Sequence, residues 1–277
     1  MKKSANADAN TKYDNNNLQK EIKMIKILYG KCAHCASVNA ANEITELLKN
    51  KPDAVLGLAT GSSPIGMYKE LIARCASGEI SFKNVKSVNL DEYVGLGADH
   101  DQSYAYFMSH NLFDHVDIDK ANTNLPNGLA TDPAAECQRY DDVVASMGGV
   151  DIQVLGIGNN GHIGFNEPAS YFPKGTSLVD LTDSTIDANA RFFEKREDVP
   201  TQALSMGVGQ IMNAKKVLLI ALGKGKAEIL EKSLFGDVTP EVPASILQFF
   251  KGEVVVCADE EALSVILEKH PEAVTKA

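Results

Sequence analysis

The sequence contains no long hydrophobic run. None of its apolar stretches approaches the roughly 20 residues that a helix needs to cross a membrane. Residues 1–23 begin with lysines but have no apolar central region, which argues against a secretory signal peptide. These absences predict a cytoplasmic protein with no membrane-spanning segment.

The sequence also lacks an excess of positive charge. It has 27 Lys and Arg residues against 37 Asp and Glu residues, which gives a formal net charge of −10. Because such a chain repels phosphate backbones, we expect no non-specific nucleic-acid binding. A small anion can still bind where local N–H groups, hydroxyls or cations face it.

Cysteines are few and irregularly spaced. The sequence has Cys32, Cys35, Cys75, Cys137 and Cys257. An odd number argues against a disulfide framework, and no second pair or set of histidines completes a zinc site. Cys32 and Cys35 form a CxxC pair, but the pair leads into a helical pattern, whereas a redox pair would directly follow a strand. We interpret the two as ordinary residues at a helix start.

Residues 1–23 are rich in Asn and Lys and offer no apolar face. Such a segment cannot bury enough surface to fold, so we predict a disordered extension. We place the folded domain at residues 24–277, because the first apolar pattern begins there.

Beyond residue 23, apolar runs alternate with amphipathic runs. The apolar runs lie at residues 54–59, 85–90, 152–157, 217–222 and 254–258. Continuous β-branched runs predict strands that are covered on both faces, and strand–helix alternation predicts a parallel sheet. We therefore expect one domain of the α/β class. Its three layers would be a mostly parallel, Rossmann-like sheet with helices on both faces.

Polar segments follow four of the predicted strands. They lie at residues 60–64, 91–93, 158–167 and 223–226. Ligands of open α/β sheets bind outside the carboxyl ends of the strands. Because all four segments lie at that edge, the sequence predicts one shared binding site.

The segment GIGNNGHIGFNEP, residues 156–168, begins with the GxGxxG pattern of a dinucleotide-binding turn. That turn needs a helix to start at the third glycine, but Pro168 follows Gly161 too closely for one. We expect the glycines to let the backbone approach a different ligand. The same segment offers the imidazole of His162, which suits proton transfer near neutral pH, with Asn160 and Glu167 close by. A solvated loop histidine is the alternative.

Three other polar motifs have two interpretations each. The hydroxyls and N–H groups of residues 60–64 suit phosphate at a helix N-terminus, or they form a plain helix cap. Asp91 and the adjacent Glu92 supply a base that faces the cleft, or they cap a helix. Arg191 and Lys226 could approach an anion, although single cations are usually surface residues.

Five segments together resemble the glucosamine-6-phosphate deaminase family. They are LGLATGSSPIGMYKELI, VNLDEYVGL, SYAYFM, GIGNNGHIGFNEPAS and ALGKGKA. The resemblance extends from about residue 27 to residue 266. The related 6-phosphogluconolactonases share the fold and the Gly-His turn, but they lack the Phe-Asn-Glu-Pro continuation that stands at residues 165–168.

The resemblance implies an enzyme, of hydrolase or isomerase type, that acts on a small amino-sugar phosphate. It would convert glucosamine 6-phosphate and water to fructose 6-phosphate and ammonia in amino-sugar catabolism. Asp91 would move a proton between C2 and C1, His162 would open the sugar ring, and Glu167 would support the imidazole. The phosphate-binding positions would be Thr60, Gly61, Ser62, Ser63, Arg191 and Lys226. The resemblance implies no metal and no organic cofactor.

The sequence departs from the family at two places. Many members carry Asp where this chain has Asn160, whose amide we expect to hydrogen-bond the imidazole. Allosteric members carry cations where this chain has Ser177 and Val179. We therefore expect hyperbolic kinetics without activation by N-acetylglucosamine 6-phosphate, and either a monomer or a homo-oligomer. Residues 171–185 are a candidate lid.

Two alternatives remain at this point. A sugar-phosphate lactonase of the same fold would hydrolyse an ester and release no ammonia. A non-catalytic sugar-phosphate sensor would need a helix-turn-helix segment before residue 24, and the residues there are too few and too weakly patterned.

Overall fold

The computed structural model describes residues 25–276, so the predicted extension at residues 1–23 lies outside the described residues. The strands in chain order are β1 (Ile25–Gly30), β2 (Val55–Leu58), β3 (Lys86–Asn89), β4 (Asp91–Tyr93), β5 (Thr123–Asn124), β6 (Ile152–Leu155), β7 (Ser177–Asp180), β8 (Gln202–Ser205), β9 (Lys216–Ala221), β10 (Glu253–Asp259) and β11 (Val274–Lys276). They form two sheets.

The larger sheet has eight strands in the order β11-β1-β10-β9-β6-β2-β3-β5, and every pairing in it is parallel. Its central strands are buried along nearly their whole length, as the continuous apolar runs predict. The runs at residues 54–59, 85–90, 152–157, 217–222 and 254–258 correspond to β2, β3, β6, β9 and β10. The predicted α/β fold with a mostly parallel sheet is confirmed.

Helices connect these strands and surround the sheet. They are α1 (Ala33–Asn50), α2 (Ile65–Ala76), α3 (Tyr104–Asn111), α4 (Pro133–Ser146), α5 (Asp183–Asn189), α6 (Val208–Ile211), α7 (Ala227–Phe235) and α8 (Ser264–Lys269). The longest, α1, buries Ala36, Ala40, Ile44 and Leu48, whose spacing places them on one face. Burial of each large aliphatic side chain there contributes about 1.5–3 kcal/mol.

Helix α8 begins at Ser264, after a four-residue connection from the end of β10. The Asp259 carboxylate at the end of β10 accepts a hydrogen bond from the N–H of Ala262 at 2.9 Å, which holds the intervening residues in a turn. Within residues 25–276, no helix is both long and apolar enough to span a bilayer.

The smaller sheet is antiparallel, with the order β4-β8-β7, and the sequence patterns did not predict it. Leu90 alone separates β3 from β4. Its N–H donates to Leu58 O in the larger sheet at 3.3 Å, and its carbonyl accepts from Met206 N, just after β8, at 2.7 Å. The chain therefore passes from one sheet to the other within a single residue, and Asp91 stands directly beyond that junction.

Candidate active site

A cavity of about 700 Å³ opens at the carboxyl ends of β2, β6 and β9. Of the residues predicted for the site, its lining includes Thr60, Gly61, Ser62, Asp91, Asn160, His162, Arg191 and Lys226. Ser63 and Glu167 stand outside the described lining, Ser63 in the turn before α2 and Glu167 behind His162. The structure therefore brings residues from all four polar segments to one cavity. Their role in binding stays a prediction.

The loop after β2 lines the cavity and does not cap a helix with its hydroxyl groups. Pro64 is the N-cap residue of α2, and among the described residues no side chain caps that helix. Thr60 and Ser62 line the cavity instead. The interpretation of residues 60–64 as a plain helix cap is therefore wrong, and the loop offers hydroxyl and N–H donors to an anion.

Two cations, Arg191 and Lys226, line the cavity. Lys226 Nζ donates to Asn159 Oδ1 at 2.6 Å, which aims the ammonium group across the sheet edge. Burial, together with the positive charge of Arg191, lowers the pKa of Lys226. Both residues line the cavity, although they are distant in sequence. The Asp259 carboxylate fixes this loop by accepting from Gly223 N at 3.0 Å.

The imidazole of His162 contacts a carboxylate. Its Nδ1 lies 3.3 Å from Glu167 Oε1, a distance that fits an ion pair. Burial opposes the ionisation of Glu167. The neighbouring His162 ring and the hydrogen bonds from Thr185 and Asn160 outweigh it and lower the pKa of Glu167 to about 2. Glu167 is therefore ionised throughout the neutral range.

Asn160 contacts the carboxylate and not the imidazole. Its Nδ2 donates to Glu167 Oε2 at 2.6 Å, and its Oδ1 accepts from the backbone N–H of His162 at 3.2 Å. The expected hydrogen bond from the Asn160 amide to the imidazole ring is therefore corrected. An amide satisfies both contacts because it carries a donor and an acceptor, whereas an aspartate would place two carboxylates together.

The second glycine of the GxGxxG pattern, Gly158, leaves space for the imidazole. A Cβ atom on Gly158 would lie 2.3 Å from His162 Cε1, so the ring occupies the space that a side chain would need. Residues 159–160 form a turn, and no helix begins at Gly161. The structure thus agrees with the prediction that this segment is not a dinucleotide-binding turn.

Asp91 is a buried carboxylate, 6% exposed, beside a second buried carboxylate. Burial, and then the charge of the adjacent Glu92, raise the pKa of Asp91 to about 8. Glu92 accepts hydrogen bonds from the N–H groups of Tyr93, Tyr104 and Ala105 at 2.8–2.9 Å. Burial raises its pKa to about 7, although those hydrogen bonds oppose the rise. Asp91 faces the cavity, and Glu92 holds the start of α3.

The sequence patterns missed four residues of the site. Asn159 orients Lys226, Thr185 on α5 donates to Glu167, and Tyr104 and Asn189 line the cavity. The stacked rings of Tyr104 and Phe165, with centroids 6.0 Å apart, form one wall. The SYAYFM segment contained Tyr104, but periodicity gave no reason to choose it. Thr185 carried no local signal.

The candidate lid at residues 171–185 is largely fixed to the body of the protein. Residues 177–180 form β7, and Thr176 N donates to the carboxylate of Asp141 on α4 at 3.0 Å. The backbone N–H of Gln210 donates to Lys174 O at 3.0 Å. These contacts argue against opening of the segment as one lid.

In the described part of the chain, no group of three or more His, Cys, Asp or Glu side chains could hold a metal ion.

The sequence is similar to those of known enzymes over most of its length. A family described as "Glucosamine-6-phosphate isomerases/6-phosphogluconolactonase" matches residues 31–256. A glucosamine-6-phosphate deaminase of Clostridium perfringens (strain SM101 / Type A) is 54% identical over 227 residues, 82% of this chain and 93% of that protein. One of Lachnoclostridium phytofermentans is 57% identical over 224 residues, 81% of this chain and 95% of that protein.

Solved structures agree with these sequence matches. A monomeric glucosamine-6-phosphate deaminase superimposes with a TM-score of 0.84 at 44% identity, covering 87% of this chain and 99% of that one. A 6-phosphogluconolactonase of Trypanosoma brucei, with a TM-score of 0.68 at 18% identity over 86% of this chain and 97% of that one, shares the fold. These names support a deaminase and isomerase, so the hydrolase part of the expectation is corrected. The chain belongs to the family of glucosamine-6-phosphate isomerases and 6-phosphogluconolactonases.

Proposed function

We propose that this chain converts glucosamine 6-phosphate and water to fructose 6-phosphate and ammonia, as a step of amino-sugar catabolism. The observation that carries the proposal is the single cavity in which Asp91 and His162 face two cations and a hydroxyl-bearing loop. A phosphorylated sugar needs this combination, because its anionic end must be held while protons move at its other end.

Arg191, Lys226 and the loop at residues 60–63 would bind the phosphate. Both cations line the cavity, and the charge of Arg191 disfavours the charged form of Lys226, an effect that a bound anion would offset. Hydroxyl and N–H donors of the loop would complete the oxyanion contacts. These groups give an acidic protein a local site of the opposite charge.

His162 would open the pyranose by moving a proton on and off the ring oxygen. Glu167 stays ionised and contacts Nδ1, so it fixes the orientation of the imidazole. The opposite ring nitrogen, Nε2, is then the group that exchanges a proton with the sugar.

Asp91 would then take the proton from C2 of the opened sugar and return it at C1. The resulting enolamine becomes a ketimine at C2, water adds to that carbon, and ammonia leaves with the C2–N bond electrons. Burial makes Asp91 a stronger base than an ordinary carboxylate, because its charge is poorly solvated. All atoms of the products come from the sugar phosphate and one water.

The test is to incubate the purified chain with glucosamine 6-phosphate and measure ammonia and fructose 6-phosphate together. We expect equal amounts of both, and a loss of at least about 100-fold in kcat for Asp91→Asn. Asp99→Asn, an exposed acid outside the cavity lining, is the matched control and should keep wild-type activity. Hydrolysis of 6-phosphogluconolactone without any ammonia from the amino sugar would contradict the proposal.

A further inference from the structure

The CxxC pair occupies the position that a redox dithiol requires. β1 ends at Gly30, and Cys32 is the N-cap residue of the 18-residue helix α1. A Cβ on Gly30 would lie 2.6 Å from Ala36 N, so its absence lets the helix start pack against the end of the strand. The pair therefore directly follows a strand, and the reason for interpreting it as two ordinary cysteines does not hold.

The two sulfur atoms are in contact. Cys32 Sγ and Cys35 Sγ are 3.2 Å apart, and closure to a disulfide needs an approach of only about 1.2 Å. All five cysteines lie within residues 25–276 and are free thiols. The sulfur of Cys75, in contrast, contacts Asp117 Oδ1 at 3.4 Å. A vicinal thiol pair is thus built into this edge of the sheet.

The two thiols differ in exposure and in surroundings. Cys32 is exposed, and Cys35 is half-buried. The backbone N–H and the thiol of Cys35, with a further contribution from the N–H of His34, lower the pKa of Cys32, while Asp259 acts in the opposite direction. A helix N-terminus and an accessible position both favour attack by a thiolate at Cys32.

We propose that Cys32 and Cys35 form a dithiol redox site that exchanges with low-molecular-weight disulfides, with Cys32 as the attacking thiol and Cys35 as the resolving thiol. Within residues 25–276, the lining of the catalytic cavity includes neither cysteine, so the inference does not depend on the proposed deaminase reaction.

The exchange has two steps. The Cys32 thiolate attacks one sulfur of the external disulfide, that S–S bond breaks, and one external thiolate leaves as a mixed disulfide forms on Cys32. The Cys35 thiolate then attacks the Cys32 sulfur and displaces the second external thiolate. Two protein thiols are oxidised to one disulfide, one external disulfide is reduced to two thiols, and the cysteine protons pass to the leaving thiolates.

The test uses the full chain, fully reduced and then treated with oxidised glutathione under native conditions. After an acid quench and alkylation, we expect mass spectrometry to find a Cys32–Cys35 bond in the wild type that dithiothreitol reverses. Cys35→Ser should accumulate a glutathione adduct on Cys32. Cys32→Ser should react at residue 35 at least about tenfold more slowly than Cys35→Ser reacts at residue 32.

Cys75→Ser is the matched control and should form the internal bond at the wild-type rate, because its sulfur lies with Asp117. Circular dichroism would verify that each variant is folded. A wild type that keeps a glutathione adduct without forming the internal bond, or that reacts first at Cys75, would overturn the proposal. Ammonia release measured on the same samples keeps this result separate from the test of the catalytic reaction.

Discussion

Asp91 is a carboxylate in surroundings that disfavour its charge, and this conflict should be visible in stability. Its pKa is about 8 in the folded protein, against an ordinary value of 3.8. Between these values the folded state binds more protons than the unfolded state, so the free energy of unfolding falls as pH rises. The contribution is fully present below about pH 4 and is lost by about pH 8.

Asp91→Asn should therefore stabilise the unliganded protein while it abolishes activity. We expect the melting temperature at pH 8 to rise by on the order of 5 °C, and the gain to disappear towards pH 4. Thermal unfolding followed at several pH values would measure this, with Asp99→Asn as the exposed control. A gain that is equal at pH 4 and pH 8 would show that relief of charge is not its cause.

Asn160→Asp should move the acidic limb of the kcat–pH profile to higher pH. The new carboxylate would stand where Asn160 Nδ2 now donates to Glu167, and two like charges at that distance raise the pKa of Glu167 from about 2. The His162 support would then be protonated at a higher pH. Steady-state rates over a pH series provide the measurement, and an unchanged acidic limb would refute this assignment of Asn160.

Gly158→Ala should lower kcat by about 100-fold, because the added Cβ would displace the His162 ring by more than a small adjustment. Gly225→Ala is a matched control on the same edge of the sheet, since a Cβ there meets nothing within 4 Å. Measurement of kcat for both variants with glucosamine 6-phosphate tests this prediction. Equal rates would mean that the close approach of Gly158 does not position the imidazole.

At the scale of elements, Glu92 joins β4 to α3. Glu92→Ala would leave three N–H groups without their acceptor, which costs about 1–3 kcal/mol for each group that stays buried. We expect denaturant unfolding to show a loss of several kcal/mol. Glu92→Gln keeps the shape, removes a charge that raises the pKa of Asp91, and should move the acidic limb of kcat/KM to lower pH.

Glu92→Gln also separates the two roles of this side chain. A profile that does not move, together with a lower kcat, would indicate that Glu92 only holds α3 in place. A profile that moves while stability is nearly retained would indicate that its charge sets the basicity of Asp91. The pH profile and the unfolding curve are recorded on the same protein preparation, so the unfolding curve also verifies that the variant is folded.

The long buried strands could be predicted, because continuous β-branched runs such as those of β9 and β10 are typical of strands that are covered on both faces. The second sheet could not, since β4, β7 and β8 are short and partly polar and pair with segments far along the chain. In the site, Asp91 and His162 stood at predicted strand ends. Thr185, which donates to Glu167, lies on a helix 18 residues farther along the chain, and its position depends on the second sheet.

At the scale of the whole molecule, the net charge is −10, yet the fold places cationic side chains in the lining of one cavity. The positions expected to bind an allosteric anion lie on β7, whose sequence Ser-Leu-Val-Asp carries no cation. We therefore expect hyperbolic kinetics that N-acetylglucosamine 6-phosphate does not change. Initial rates with and without that compound, recorded together with the sedimentation coefficient, test this. A sigmoidal curve that the compound relieves would contradict the expectation.

The one-residue junction at Leu90 has a stereochemical consequence for the reaction. The N–H of Leu90 is anchored to the larger sheet and its carbonyl to the smaller one, so the chain at Asp91, the proposed base, is held from two sides. We expect this base to stay on one side of a planar intermediate. We therefore expect the hydrogen removed from one carbon to be delivered to its neighbour from the same side. In heavy water, we expect deuterium at one of the two prochiral positions at C1 of the ketose and none at the other.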